Sequence, residues 1–99
     1  MNPRQESVWR RQLAEERESL RWEGFAGQFP PDEAPLRFIS LAEAPAVHAA
    51  FLQQEGFQVD VVPPSGLRFG SVGADQELAF AIARYRCRML YPIDPLLES

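Results

Sequence analysis

Gly56 constrains this chain more than any other residue. Before it runs an apolar, alanine-rich stretch through Val47, Ala50, Phe51 and Leu52. After it runs Phe57-Gln58-Val59-Asp60-Val61-Val62, where apolar and polar residues alternate at first. Only glycine enters the left-handed backbone region without a Cβ penalty, so the join Glu55-Gly56-Phe57 reads as the end of a helix. Phe57 is placed to fold back onto Leu52, the apolar contact of a Schellman ending. Period two then predicts a strand with Phe57, Val59 and Val61 on one face and Gln58 and Asp60 on the other. Pro63-Pro64-Ser65-Gly66 predicts a turn somewhat longer than the tight two-residue kind. Leu67 and Phe69 continue the apolar face on a return strand, and Asp60 is expected to pair with Arg68 across the hairpin. Gly70 and Gly73 suggest a bulge or the strand's end.

Upstream, Trp9, Leu13, Glu16 and Leu20 recur at spacings of four, three and four, which predicts an amphipathic helix over residues 7–22 capped by Ser7. Residues 1–6 read as a frayed end. Glu6–Arg10 and Arg11–Glu15 add weak pairs one helical turn apart. The apolar stripe is narrow, so this helix needs a partner surface. Residues 23–35 hold Gly24, Gly27, Pro30, Pro31 and Pro35 and read as a loop pinned by Phe25 and Phe29. Leu36 to Leu41 reads as a short buried strand. The second helix has two competing start signals: Ser40-Leu41-Ala42-Glu43 has the form of a capping box, while Pro45 suits a first helical turn.

The last element carries two periods at once. Leu78, Ile82, Tyr85 and Met89 form a helical stripe, whereas Arg84, Arg86 and Arg88 alternate with Ala83, Tyr85, Cys87 and Met89 as in a strand. Alanine and arginine favour helix, and Asp75 can cap it. The expected element is a helix from Asp75 to about Leu90, ended by Tyr91-Pro92.

These elements give the order α-β-α-β-β-α in a single α+β domain over residues 1–99. Residues 36–91 form a β-α-β-β-α core with helices on one face of the sheet. The layout is similar to a ferredoxin-like split βαβ whose last strand is missing or supplied by residues 93–97. Such modules include ligand-binding regulatory domains, and the fold alone assigns no function.

Charge narrows the partners. Six Arg face eight acids in residues 1–50, and four face six in 51–99, so the net charge of -4 is evenly spread. A phosphate-binding domain is usually basic overall. There is no Lys, which rules out a Schiff base or a Walker-type lysine; that bias, and the missing Thr, are clues to source rather than function. The single cysteine, Cys87, excludes an intrachain disulfide and fits a reducing cytoplasm. No signal peptide and no membrane span are expected.

Candidate chemistry is sparse. His48 is the only histidine and lacks a nucleophile and an orienting group beside it, which makes it a surface or boundary residue. Asp32-Glu33 reads as a solvated turn in preference to a metal site. Cys87 has Arg86 and Arg88 beside it, which would favour a thiolate, but lies among small and apolar residues. No cofactor and no catalytic set are expected. The sharpest local feature is the run Arg84-Tyr85-Arg86-Cys87-Arg88. On a strand its three guanidiniums would share one face, a candidate nucleic-acid or anion surface with Tyr85. On a helix they separate and favour ion pairs with acids.

The leading expectation is a non-enzymatic interaction or regulatory module that forms a homodimer, because Trp9, Trp22, Phe25 and Phe29 lie outside the predicted core. A nucleic-acid-binding module using Arg84–Arg88 is the alternative. A small-molecule-binding domain, with a cleft between the first helix, the loop and the sheet, is the third.

Overall fold

Three helices and one hairpin make up the chain in a computed structural model, which describes residues 1–25, 30–63 and 66–97. Helix α1 is Pro3–Trp22, α2 is Ala44–Gln54 and α3 is Glu77–Leu90. Strands β1 (Val59–Val62) and β2 (Gly66–Phe69) pair antiparallel, and a 3₁₀ turn, Ala74–Gln76, leads into α3. The architecture is mixed α+β. It is not the expected ferredoxin-like sheet, because the sheet has only two strands among the described residues.

Glycines stop α1 and α2. Gly56 has φ +95°. The Phe57 amide donates to the Leu52 carbonyl at 3.0 Å, and the Gly56 amide to Gln53 at 3.0 Å. That is the bond pattern of a Schellman motif. Gly24, at φ +89°, ends α1 the same way, with Phe25 donating to Leu20 at 2.8 Å. The hairpin register is Val59↔Phe69, Asp60↔Arg68, Val61↔Leu67 and Val62↔Gly66, so the expected Asp60–Arg68 pair forms, at 3.6 Å. Pro64 and Ser65 of the predicted turn lie outside the described residues, as do Gly27 and Phe29 of the loop.

Helix α1 starts four residues earlier than its stripe suggested. Asn2 is the cap in place of Ser7: its side chain accepts from the Gln5 amide at 2.7 Å, and Gln5 reaches back to the Asn2 amide at 3.3 Å. Pro3 stands in the first turn, where its missing N–H costs nothing. The two start signals of α2 are both satisfied. The Ser40–Glu43 box closes reciprocally at 3.2 and 2.9 Å, and Pro45 then occupies the first turn of a helix that begins at Ala44.

The predicted strand over residues 36–41 does not form. Leu36 and Leu41 point outward, 66% and 60% exposed. Ile39 makes one parallel bridge, to Ile93, through Ile39 N–H to Pro92 and Asp94 N–H to Ile39 at 3.0 and 2.8 Å. Pro92 lacks the N–H needed to extend the ladder on one side, and on the other the Leu96 amide donates to the Asp94 side chain at 3.0 Å. On its other side Ile93 is occupied by Gln12 of α1, whose amide donates to the Ile93 carbonyl at 2.7 Å and accepts from its N–H at 3.0 Å. A helix side chain thus stands where a neighbouring strand would.

Helix α3 is the axis of the molecule. Ala81, Tyr85 and Met89 face α1 and pack with Trp9, Leu13 and Leu20. Ala83 faces the other way and packs with Ala49, Leu52 and Val59. Two residues along a helix is about 200° of turn, so an element buried on two opposite sides shows strand-like alternation while remaining a helix. The expected helix over this segment is therefore present, and its double period has a packing cause.

Asp94 ties the two chain ends together. It accepts from Arg4 at 2.9 and 2.6 Å and from the Leu96 amide at 3.0 Å. Arg4 and Gln5 cover it at the rim of the molecule. The Arg4 bonds hold its carboxyl down at about 2, below the usual 3.8. A carboxyl lowered in the folded state adds stability above its unfolded value and loses it as pH falls through the folded one. Between pH about 4 and about 2, wild type should therefore lose more thermal stability than Asp94→Asn. Parallel melting curves for the two proteins across that range would show that the Arg4 contact contributes nothing.

Candidate functional site

The arginines of α3 lie in the seams between its two buried sides. Arg84 and Arg88, one turn apart, occupy the seam toward α1. Both Arg84 contacts come from one guanidinium nitrogen to Glu23, at 2.7 and 2.8 Å. Arg88 lies 3.8 Å from Glu16 and 3.9 Å from Glu15. Arg86 lies in the opposite seam, 3.0 Å from Glu55 and 3.7 Å from Glu33. Tyr85, between them, is fully buried. The helix thus divides the run, and Glu15 meets Arg88 at a distance in place of the expected Arg11.

Asp32 pairs with Arg17 at 2.8 Å. The Glu33 amide lies against the Met89 sulfur at 3.3 Å. Among the described residues, no three His, Cys, Asp or Glu come together to hold a metal. No helix among them is long and apolar enough to cross a membrane.

His48 is buried under Tyr91. Its Nε2 lies 3.0 Å from the Tyr91 carbonyl, which can only accept, so Nε2 carries the proton. Burial lowers its pKa below the usual 6.5, with the Tyr91 bond opposing and the nearby Arg88 acting in the same direction, which favours the neutral ring at pH 7. Cys87 is buried beside it, but its sulfur points at the His48 backbone carbonyl, 3.9 Å away, and not at the ring. Burial pushes the Cys87 thiol up to about 12, outweighing the opposing pull of Arg88. The pair therefore lacks the thiolate–imidazole contact that nucleophilic catalysis needs.

His48, Cys87, Arg84 and Arg88 nevertheless meet at one place. They line a cleft of ≈ 170 Å³, joined by Glu16 of α1, Leu52 of α2, and Leu67 and Phe69 of β2. Burial raises the Glu16 pKa, partly offset by Arg88 and Arg84. The cleft therefore has apolar walls, a neutral thiol and imidazole, and two cations with one carboxylate. It lies between the first helix and the hairpin, and no described residue of 23–35 lines it. Glu16, Leu52, Leu67 and Phe69 entered the sequence reading only as stripe or core residues. The spacing of four between Arg84 and Arg88 was the signal for their shared seam. No protein-family model, no curated protein and no solved structure matches the chain.

Proposed function

We propose that the chain is a non-enzymatic interaction module that self-associates through its hairpin. The observation that carries this reading is a two-stranded sheet left open at its end, with Val61 and Val62 44% and 40% exposed. A lone hairpin is marginal in water and gains from further strands. The Gly70 amide donates to Gln58 at 2.9 Å. By the alternation of an antiparallel ladder, the amides and carbonyls of Val59, Val61, Leu67 and Phe69 then point away from the partner strand. Gln53 occupies the Val59 carbonyl at 2.7 Å. The β2 edge, at Leu67 and Phe69, meets no comparable side chain among the described residues, and such an edge is a template for another strand.

Charge favours a second copy as the occupant. Residues 57–74 contain one acid and one base, Asp60 and Arg68, so the hairpin is neutral within a chain of net charge -4. Two acidic chains can meet there without facing like charge. Trp22, 82% exposed at the end of α1, offers further apolar surface.

Sedimentation velocity tests this directly. Wild type is expected to form a dimer at micromolar concentration, and Phe69→Pro, which removes an outward N–H from the β2 edge, to weaken it by at least about tenfold. Phe69→Pro leaves the net charge at -4, so a lost dimer reports the contact itself and not bulk charge. A strict monomer at high micromolar concentration would overturn the proposal. The nucleic-acid alternative loses Tyr85, which is fully buried, and keeps Arg84, Arg86 and Arg88 only in two separate seams. It predicts salt-sensitive retention on RNA or DNA that is lost in Arg84→Ala with Arg88→Ala.

A further inference from the structure

Arg88 is the electrostatic anomaly of the molecule. Its Nε–H is covered from solvent and has no hydrogen-bond partner among the described residues. The carboxylates nearest to the guanidinium, Glu16 and Glu15 at 3.8 and 3.9 Å, stand beyond hydrogen-bond reach. Arg84 shares the pattern in part: Glu23 takes one of its terminal nitrogens, while its Nε–H is likewise covered and without a partner. Leaving a buried donor unsatisfied is costly, and more so for a charged group. In a chain with more acids than bases, supplying a carboxylate to Arg88 would have been easy. The side chain borders the cleft walled by Leu52, Leu67 and Phe69.

We infer that this cleft binds a small organic monocarboxylate, its apolar body on Leu52, Leu67 and Phe69 and its carboxylate on the Arg88 guanidinium.

Three features select that class. First, guanidinium matches carboxylate in a planar, two-bond geometry, and a charged donor with open N–H groups gains most from an anion. Second, ≈ 170 Å³ is about the size of an apolar cavity that takes benzene, and is below the roughly 300 Å³ where ordinary drug-sized pockets begin. A nucleotide does not fit. Third, Glu16 borders the same space and Glu15 lies beside Arg88, so a phosphate dianion meets repulsion that a monoanion meets in lesser degree. The apolar walls disfavour a bare inorganic anion, which leaves a carboxylate carrying a ring or a short branched chain. Strand pairing at the β2 edge would leave both faces of the hairpin as they are. The two proposals are therefore independent, and sedimentation does not decide this one.

Calorimetric titration with benzoate and with neutral benzamide, which has nearly the same shape, tests the inference. Benzoate is expected to saturate one site per chain in the millimolar range or tighter, with benzamide at least about tenfold weaker. Arg88→Met should weaken benzoate by a similar factor while circular dichroism and the melting curve stay native. If Arg88→Met fails to fold, Glu16→Gln decides. Removing the competing carboxylate should tighten benzoate about threefold or more. Leu67→Trp, which fills the cleft from β2, should abolish binding. Equal binding of benzoate and benzamide, no saturation by benzoate, or unchanged affinity in whichever charge variant folds would overturn it.

Discussion

Tyr85→Ala is expected to remove about 3–5 kcal/mol of stability, the cost of truncating a large ring in a closed core. A chain of this length has roughly 5–15 kcal/mol in all, so this one change takes about a fifth or more of the usual margin. The ring is fully buried at the centre of the α1–α3 interface, with Trp9, Leu13, Leu20, Ala81 and Met89 around it. Its hydroxyl lies between Asp32, at 3.5 Å, and Arg17. Tyr85→Phe keeps the ring and loses the polar contacts of the hydroxyl, so its cost should be about 1 kcal/mol or less. Urea denaturation of both variants separates the two contributions. If the alanine variant unfolds no earlier than the phenylalanine variant, packing on this face of α3 is not what holds α1 in place.

Leu52→Ala should act on the other side of the same helix. Leu52 is buried with Ala49, Val59 and Ala83, and Phe51, Phe57 and Leu67 pack around that group. Truncating a buried leucine costs about 2–5 kcal/mol. The consequence is expected to be local as well as global. The hairpin rests on α2 through Val59, and its outer residues Val61 and Val62 are open to solvent. Weakening that support should let the hairpin open without the α1–α3 pair. Hydrogen exchange reads this out: the Asp60 and Val62 amides, which point into the hairpin by the ladder's alternation, should lose protection before the amides of α1. Uniform loss of protection across both regions would show that the two core groups unfold as one unit.

Much of this architecture was legible from short-range chemistry. The glycine stop at Gly56, the fold-back of Phe57 onto Leu52, the Asp60–Arg68 pairing and the helix from about Asp75 to Leu90 each depend on residues within a few positions of one another. The capping signals at Ser40 and Pro45 looked contradictory but were successive: a closed turn, then a helix. The cap at Asn2 was equally local. It was missed because the apolar stripe, which marks the buried part of a helix, begins later than the helix itself.

Residues 36–41 failed for a different reason. An apolar run says that something covers it, not what. Here the cover is the tail after α3, and the tail's other side is taken by Gln12, 81 residues away in sequence. The candidate site followed the same division. Arg84, Arg86 and Arg88 were visible as a run, and their separation on a helix followed from spacing alone. That Arg88 borders Leu67, Phe69 and His48 depended on how α1, α2 and the hairpin close around α3.

By itself, then, the sequence determined where the helices stop, how the hairpin registers and that α3 is helical, because these are settled by steric limits and bonds within one or two turns. Only the tertiary structure decided that α3 is buried on two sides, that residues 36–41 meet a tail in place of a sheet, and that Arg88 lies at a cleft with its Nε–H unsatisfied. Those outcomes depend on contacts between segments up to 90 residues apart, as between Arg4 and Asp94, where many pairings would satisfy the same local pattern and packing selects one.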